Sequence, residues 1–228
     1  MSKLKTEMMK KLFALALLAC ASLSAMAQSY RMGRSAWDSP WDFGGHIGIM
    51  YNYVGGVPEH LSHSGLGLDF CLFEGQYHIN SNSMVSLGIL DVLVDFRYPQ
   101  KGYIFSSVPT GTVIKAVEDS RAKANFSDVA FSFPLGFTQR FNARWAASLY
   151  VAPGLGLVRY NNNYIAGEVH HRDSFYPVYN RTGFRLDVKA VLWFEDLGLT
   201  FRYQPIGFTL PDSNKKNQTF SVGLSFCY

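Results

Sequence analysis

No stretch of the 228-residue chain stays apolar for the ~20 residues that a membrane-spanning helix needs, so helical spans are excluded. Cysteine is scarce: there are three, and Cys20 falls in the N-terminal leader. The other two, Cys71 and Cys227, are too few for a disulfide framework. They read as inward-facing side chains on strands two apart, too distant for a good bridge. A strong charge of one sign is also missing. The leader holds Lys3, Lys5, Lys10, Lys11 and Glu7, so the formal net charge of +4 falls to +1 without it, and nothing basic remains to argue for nucleic acid. No convincing amphipathic helix is present.

What is present begins with the leader. Residues 1–27 run from the lysines through the apolar Leu12 to Ala19 to Ala25-Met26-Ala27 before Gln28, the order of a secretory signal peptide. Cleavage is predicted after Ala27, with Ala25 and Ala27 as the small residues of the site. Cys20 after Leu17-Leu18-Ala19 invites a lipoprotein reading, but Leu18 stands where such sites carry a small residue. Met8-Met9-Lys10-Lys11 also reads as a signal start, which leaves Met1 or Met8/Met9 open as the first residue. Residues 28–41 are expected to form a periplasmic N-terminal segment and 42–228 a single domain.

That domain alternates with period two again and again. In Thr182 to Phe194, Phe184, Leu186, Val188, Ala190, Leu192 and Phe194 share one face, and Gly183, Arg185, Asp187, Lys189, Val191 and Trp193 the other. A soluble sandwich strand can look the same. Across the other segments, however, the bulky face is apolar and charge falls only on the small-residue face, the reverse of a water-soluble barrel. The prediction is an all-β, antiparallel up-and-down transmembrane β-barrel. Its eight strands are roughly 42–54, 65–76, 83–96, 127–139, 145–160, 182–194, 198–210 and 219–228. Tight turns at 77–82, 140–144 and 195–197 alternate with longer connections at 55–64, 97–126, 161–181 and 211–218, as expected of a barrel with short periplasmic turns and longer external loops.

Two segments break the rule. In 83–96 the outward parity of Val85, Leu87 and Ile89 would expose Asp91 and Asp95 to lipid, at a cost of about 2 kcal/mol for a charge near the midplane. A β-bulge near Leu90 is predicted to turn them inward. Pro134 and Pro153 lack a ladder N–H, so bulges or strand ends are expected there. Aromatics cluster at strand ends: Trp41, Phe43, Phe141, Trp145, Phe194 and Tyr228 on the periplasmic side, and Tyr51, Tyr53, Tyr98, Tyr160, Tyr164 and Phe208 on the outer side. They read as two interfacial girdles.

The chain ends Ser221-Val222-Gly223-Leu224-Ser225-Phe226-Cys227-Tyr228, in which Ser221, Gly223, Phe226 and Tyr228 make a polar-x-Gly-x-x-aromatic-x-aromatic pattern. It resembles the assembly signal of bacterial outer-membrane barrels. With the leader and the eight alternating strands, the chain resembles the small outer-membrane β-barrel family that includes OmpX-like proteins and the OmpA membrane domain. The resemblance implies a bacterial outer-membrane location, contact with outer-membrane lipid, and insertion by the barrel-assembly machinery after escort by periplasmic chaperones. It implies no single function, since such barrels serve as adhesins, anchors, narrow pores and a few enzymes.

Inward positions include His46, Asn52, Asp69, Asp91, Asp95, Tyr150, Arg185, Asp187, Lys189 and Arg202. An eight-stranded barrel is just wide enough for side chains to fill it, so these are expected to form a satisfied polar network, with Arg185, Lys189 and Arg202 facing Asp69, Asp91 and Asp187. His170-His171-Arg172-Asp173-Ser174 is the one segment resembling a reactive site. Adjacent histidines in a loop diverge and no third ligand stands at recognisable spacing, so no catalytic residue, metal or cofactor is assigned.

In 97–126, Tyr103 to Val108 and Thr112 to Val117 flank Pro109-Thr110-Gly111, a hairpin pattern. It reads as a protruding hairpin extending the third and fourth strands, or as two further strands of a ten-stranded barrel. An exposed hairpin edge can recruit an extracellular partner by strand addition. The loop's Arg97, Lys101, Lys115, Arg121 and Lys123 read as ordinary solvated charge or as contacts for glycolipid phosphate. The function expected is non-enzymatic, surface interaction or envelope structure. A narrow solute channel is the alternative, and an enzyme modifying outer-membrane lipid comes third.

Overall fold

A computed structural model of the chain describes residues 40–55, 61–99, 102–108, 111–118, 122–166, 169–176, 182–206 and 218–227. The predicted leader and nearly all of the segment 28–41 lie outside these residues, as do Phe208 and Tyr228. The strands are β1 (Trp41–Gly55), β2 (Leu61–Asn80), β3 (Ser83–Pro99), β4 (Tyr103–Val108), β5 (Gly111–Ala116), β6 (Lys123–Ser132), β7 (Leu135–Arg140), β8 (Trp145–Ala166), β9 (Val169–Phe175), β10 (Thr182–Phe194), β11 (Leu197–Ile206) and β12 (Gln218–Cys227).

β6 and β7 are two halves of one strand. Both lie between β3 and β8, and only Phe133-Pro134 separates them. The break is local, because Phe133 N–H donates to the Pro153 carbonyl at 3.0 Å and Gly88 N–H to the Pro134 carbonyl at 2.8 Å. Pro153, where a similar break was expected, sits inside an uninterrupted β8. Counting β6 and β7 together, β1, β2, β3, β6/β7, β8, β10, β11 and β12 close into a ring of eight antiparallel strands, β12 pairing back onto β1 from His46↔Cys227 to Gly55↔Gln218.

The alternation in the sequence becomes two surfaces. Bulky apolar side chains such as Ile49, Leu66, Phe131, Leu135, Leu155, Phe184, Phe201 and Val222 are exposed around the outside, while Arg185, Lys189, Arg202, Asp69, Asp91 and Asp187 are buried inside. The predicted phase change in β3 is present: Val85, Leu87 and Ile89 are exposed, and Asp91 and Asp95 are buried. A second bulge was not foreseen. The β2–β3 register shifts between Cys71 and Glu74, with Leu72 and Phe73 both outward and Cys71 and Glu74 both inward. Neighbouring strands therefore each carry an extra residue at one height, and each turns a carboxylate into the barrel.

Two expectations about the longer connections are corrected. β4 and β5 pair with each other in a separate two-stranded sheet, so they neither extend β3 and β6 nor add to the ring. The sequence 169–175, read as a loop, is strand β9, which pairs with the end of β8 from Tyr160↔Phe175 to Ala166↔Val169. Tyr160 is also not in the outer aromatic girdle. It shares the inward parity of Tyr150, Ala152 and Val158 and is buried. Trp41, Phe43, Phe141, Trp145, Phe194, Tyr51 and Tyr53 are exposed at their predicted ends. Tyr164 is half-buried beyond them, and the side chain of Tyr98 lies outside the described residues.

Candidate functional site

The interior is organised in layers, each placed by inward positions on several strands. Nearest the long-loop end, Arg185 on β10 donates through Nη1 to Asp128 Oδ2 at 2.8 Å and through Nη2 to Asp95 Oδ2 at 3.0 Å, and its Nε is bonded to Asp187. Arg202 on β11 donates through Nη2 to Asp95 Oδ1 at 2.8 Å and to Asn52 Oδ1 at 3.1 Å, and Asn52 Nδ2 donates to Asp95 Oδ1 at 2.7 Å. Asp95 on β3 thus joins two guanidinium groups that come from the opposite side of the ring.

The second layer is built on Lys189. Its ammonium donates to Asp69 Oδ2 at 3.0 Å and Asp91 Oδ2 at 3.1 Å, and Ser132 Oγ adds a bond to Asp91 Oδ2 at 2.8 Å. His46 lies with Nε2 3.6 Å from Asp69 Oδ2 and Nδ1 3.5 Å from Glu74 Oε2. Tyr150 donates its hydroxyl to Glu74 Oε1 at 3.3 Å, and its ring lies 5.8 Å from the Lys189 ammonium. Every sequence-predicted inward residue is brought into these two layers. The expected pairs hold for Lys189 with Asp69 and Asp91, and for both arginines with Asp187.

Two buried carboxylates were missed. Asp128 shares the parity of Ala130 and Ser132, so the alternation alone could have found it. Glu74 sits on the opposite parity from Asp69 and Cys71, and only the β2 bulge brings it inward.

The two ends of the barrel differ. At the long-loop end, Phe105 of β4 is buried against inward-facing Phe126 and Tyr160, with ring centroids 5.6 and 4.7 Å away. Asn162 clamps this residue from β8: its Nδ2 donates to the Phe105 carbonyl at 2.7 Å, and its Oδ1 accepts the Phe105 N–H at 2.9 Å. The β4–β5 hairpin is therefore folded over the mouth by an aromatic plug. At the short-turn end, a cavity of about 610 Å³ enters the barrel between Asp42, Arg140 and Glu195, and reaches His46, Glu74, Tyr150 and Trp193. Trp193 Nε1 donates to Ser148 Oγ at 2.8 Å on its wall.

A closed ring that is apolar outside and charged inside cannot rest in water with its bulky face exposed. It is a transmembrane β-barrel of the outer-membrane type. Among solved structures, the chain is similar to the attachment invasion locus protein Ail of Yersinia pestis, an outer membrane protein solved in complex with the heparin analogue sucrose octasulfate. The identity is 14%, over 82% of this chain and 98% of that one, with a TM-score of 0.40. It is also similar to Neisserial surface protein A, with 12% identity over 83% and 98% of the two chains and a TM-score of 0.41. A third is the N-terminal β-barrel domain of Pseudomonas aeruginosa OprF, with 12% identity over 81% and 97% and a TM-score of 0.29. No protein-family model matches, and no curated protein does. With identities and TM-scores this low, the strand pairing and the distribution of side chains carry the fold.

The residues singled out at the surface are held in the outer hairpins. His170 is exposed and His171 half-buried on β9, the His171 ring stacks on Tyr164 at 5.0 Å, and Ser174 Oγ donates to Asn161 Oδ1 at 2.9 Å. Lys115 and Lys123 are exposed, whereas the side chain of Arg97, and Lys101 and Arg121, lie outside the described residues. In the terminal motif, Ser221 is buried against Arg202, Phe226 is outward, and Gly223 faces Met50 across the closing seam.

Proposed function

We propose that the chain is a non-enzymatic integral protein of the bacterial outer membrane, a rigid barrel that presents structured hairpins outside the cell for surface interaction or envelope structure. The observation that carries this reading is the filled interior: two layers of ion pairs and a Phe105 plug lie in series along the axis. Such a network holds the strands in one arrangement, because each buried charge is costly unless its partners stay in place. In this reading residues 1–27 are a cleaved leader and 28–41 lie in the periplasm. The barrel-assembly machinery and periplasmic chaperones deliver the chain, and outer-membrane lipid wets the aromatic girdles.

The outer surface supplies the interaction. β5 pairs only with β4 among the described residues, so its far edge can accept an extended partner strand. The test is to refold the chain without its leader into lipid, verify folding by heat-dependent gel mobility, and record conductance across a planar bilayer. A silent, folded barrel is expected.

The narrow channel is the second reading, favoured by the cavity of about 610 Å³ that enters the interior from the short-turn end as far as His46 and Tyr150. Reproducible unitary steps, altered by a charge swap at Arg185 or Lys189, would establish it instead. The enzyme reading comes third, and His170→Ala or His171→Ala should then abolish a lipid-modifying activity.

A further inference from the structure

At the inner end of the short-turn cavity, three different metal-binding side chains converge. A ligand atom from each of His46, Cys71 and Glu74 lies within 4.8 Å of the others, and all three residues are buried. We infer that His46, Cys71 and Glu74 form a binding site for a zinc-like transition-metal ion, reached from the short-turn cavity.

Three observations support it independently. The first is geometric. Ligand atoms at 2.0–2.3 Å around a tetrahedral zinc ion stand about 3.3–3.8 Å from one another. His46 Nδ1 and Glu74 Oε2 are 3.5 Å apart, the edge of such a tetrahedron rather than a good hydrogen bond. The second is that His46 Nδ1, in a residue only 3% exposed, makes no hydrogen bond. A buried ring nitrogen with no hydrogen bond is costly, and coordination would satisfy it. The third is charge. Asp69, Glu74 and Asp91 are buried in this layer with Lys189 as the single permanent cation there among the described residues. With His46 neutral the carboxylates are in excess, and a divalent ion offsets that excess.

The ligand types choose the metal class. A thiolate and an imidazole favour zinc, cobalt or copper over calcium and magnesium, which take oxygen ligands. His46, Asp69 and Asp91 also cluster, but the Lys189 ammonium already occupies the space between those carboxylates, so it does not compete as a site. His46 and Glu74 line the cavity, and Tyr150 orients Glu74 through its hydroxyl. A fourth coordination position facing the cavity is left to water. Binding forms a sulfur–metal bond and releases the thiol proton to solvent, so affinity falls as the pH is lowered.

The test uses the barrel refolded in lipid without its leader, with Co²⁺ and Zn²⁺ as probes. A thiolate-to-cobalt charge-transfer band is expected, displaced by Zn²⁺, lost in Cys71→Ser and kept in Cys227→Ser, whose thiol lines the cavity but not the site. Glu74→Gln should weaken Zn²⁺ binding by at least about tenfold. Cys227→Ser leaves Cys71 as the one thiol of the refolded chain. Zn²⁺ should slow its alkylation by a small maleimide, a readout that needs no change at the site itself. A folded wild-type barrel with no such band, a band lost only in Cys227→Ser, or alkylation of Cys71 indifferent to Zn²⁺ would each overturn the site.

Discussion

Arg185 on β10 and Asp95 on β3 meet at 3.0 Å inside the barrel although two strand positions of the ring, β6/β7 and β8, separate them. The pair therefore ties opposite walls rather than neighbouring strands. Arg185 also pairs with Asp128 and Asp187, so Arg185→Met would take one cation from three buried carboxylates and leave Asp95 and Asp187 to Arg202. Breaking a buried ion-pair cluster from one side costs about 3–5 kcal/mol. A urea titration of the lipid-refolded barrel should show that loss, and replacing Asp187 by Leu in the same chain should restore part of it.

The outer plug should be separable from the barrel. Asn162→Ala removes both bonds to Phe105, and Phe105→Ala empties the aromatic pocket, a change worth about 3–5 kcal/mol in a core. Here the loss should fall on the hairpin. Limited proteolysis should cut at Lys115 faster in either variant, while the temperature of the gel-mobility shift stays close to that of the parent.

Gly223 belongs to the terminal polar-x-Gly-x-x-aromatic-x-aromatic pattern, and it has a packing role of its own. A Cβ there would lie 2.1 Å from the Ile49 carbonyl oxygen and 2.7 Å from Met50 Cα, both backbone atoms of β1. Gly223→Ala should therefore slow closure of the β12–β1 seam even when the chain refolds spontaneously in detergent, with no assembly factor present. If spontaneous refolding is unchanged, the glycine matters only for recognition.

Glu195 lies in the two-residue turn between β10 and β11 at φ 55°, the left-handed region that non-glycine residues enter at a cost of roughly 1 kcal/mol. Its ion pair with Arg144 is 3.6 Å long and largely exposed, and such pairs contribute little. Glu195→Gly should raise thermal stability by about 1 kcal/mol or somewhat less. The gel-mobility transition measures it.

Much of this interior could be read from alternation because a strand's parity is a local property. Lys189 points inward for the same reason that Ala190 points outward, and no tertiary information is needed to say so. Glu74 was hidden because a bulge resets the parity, and the β2 bulge has no apolar misfit as obvious as the exposed aspartates that revealed the one in β3. The position of the hairpin was hidden for a different reason. Its two strands are plain in the sequence, but its seat depends on Asn162 and Tyr160, some sixty residues away in the chain and met only after the barrel has formed. The His46, Cys71 and Glu74 grouping combines both obstacles, a shifted parity and two strands brought side by side.

The charged interior also constrains how the chain can enter a bilayer. Each spanning strand is half polar, so none partitions into lipid alone, and a partly zipped sheet would show hydrocarbon both the side chain of Arg185 and an unpaired edge of β1 or β12. Only the sealed cylinder is soluble in lipid. Insertion and folding must then be a single concerted event, with the joining of Met50 to Gly223 near its end.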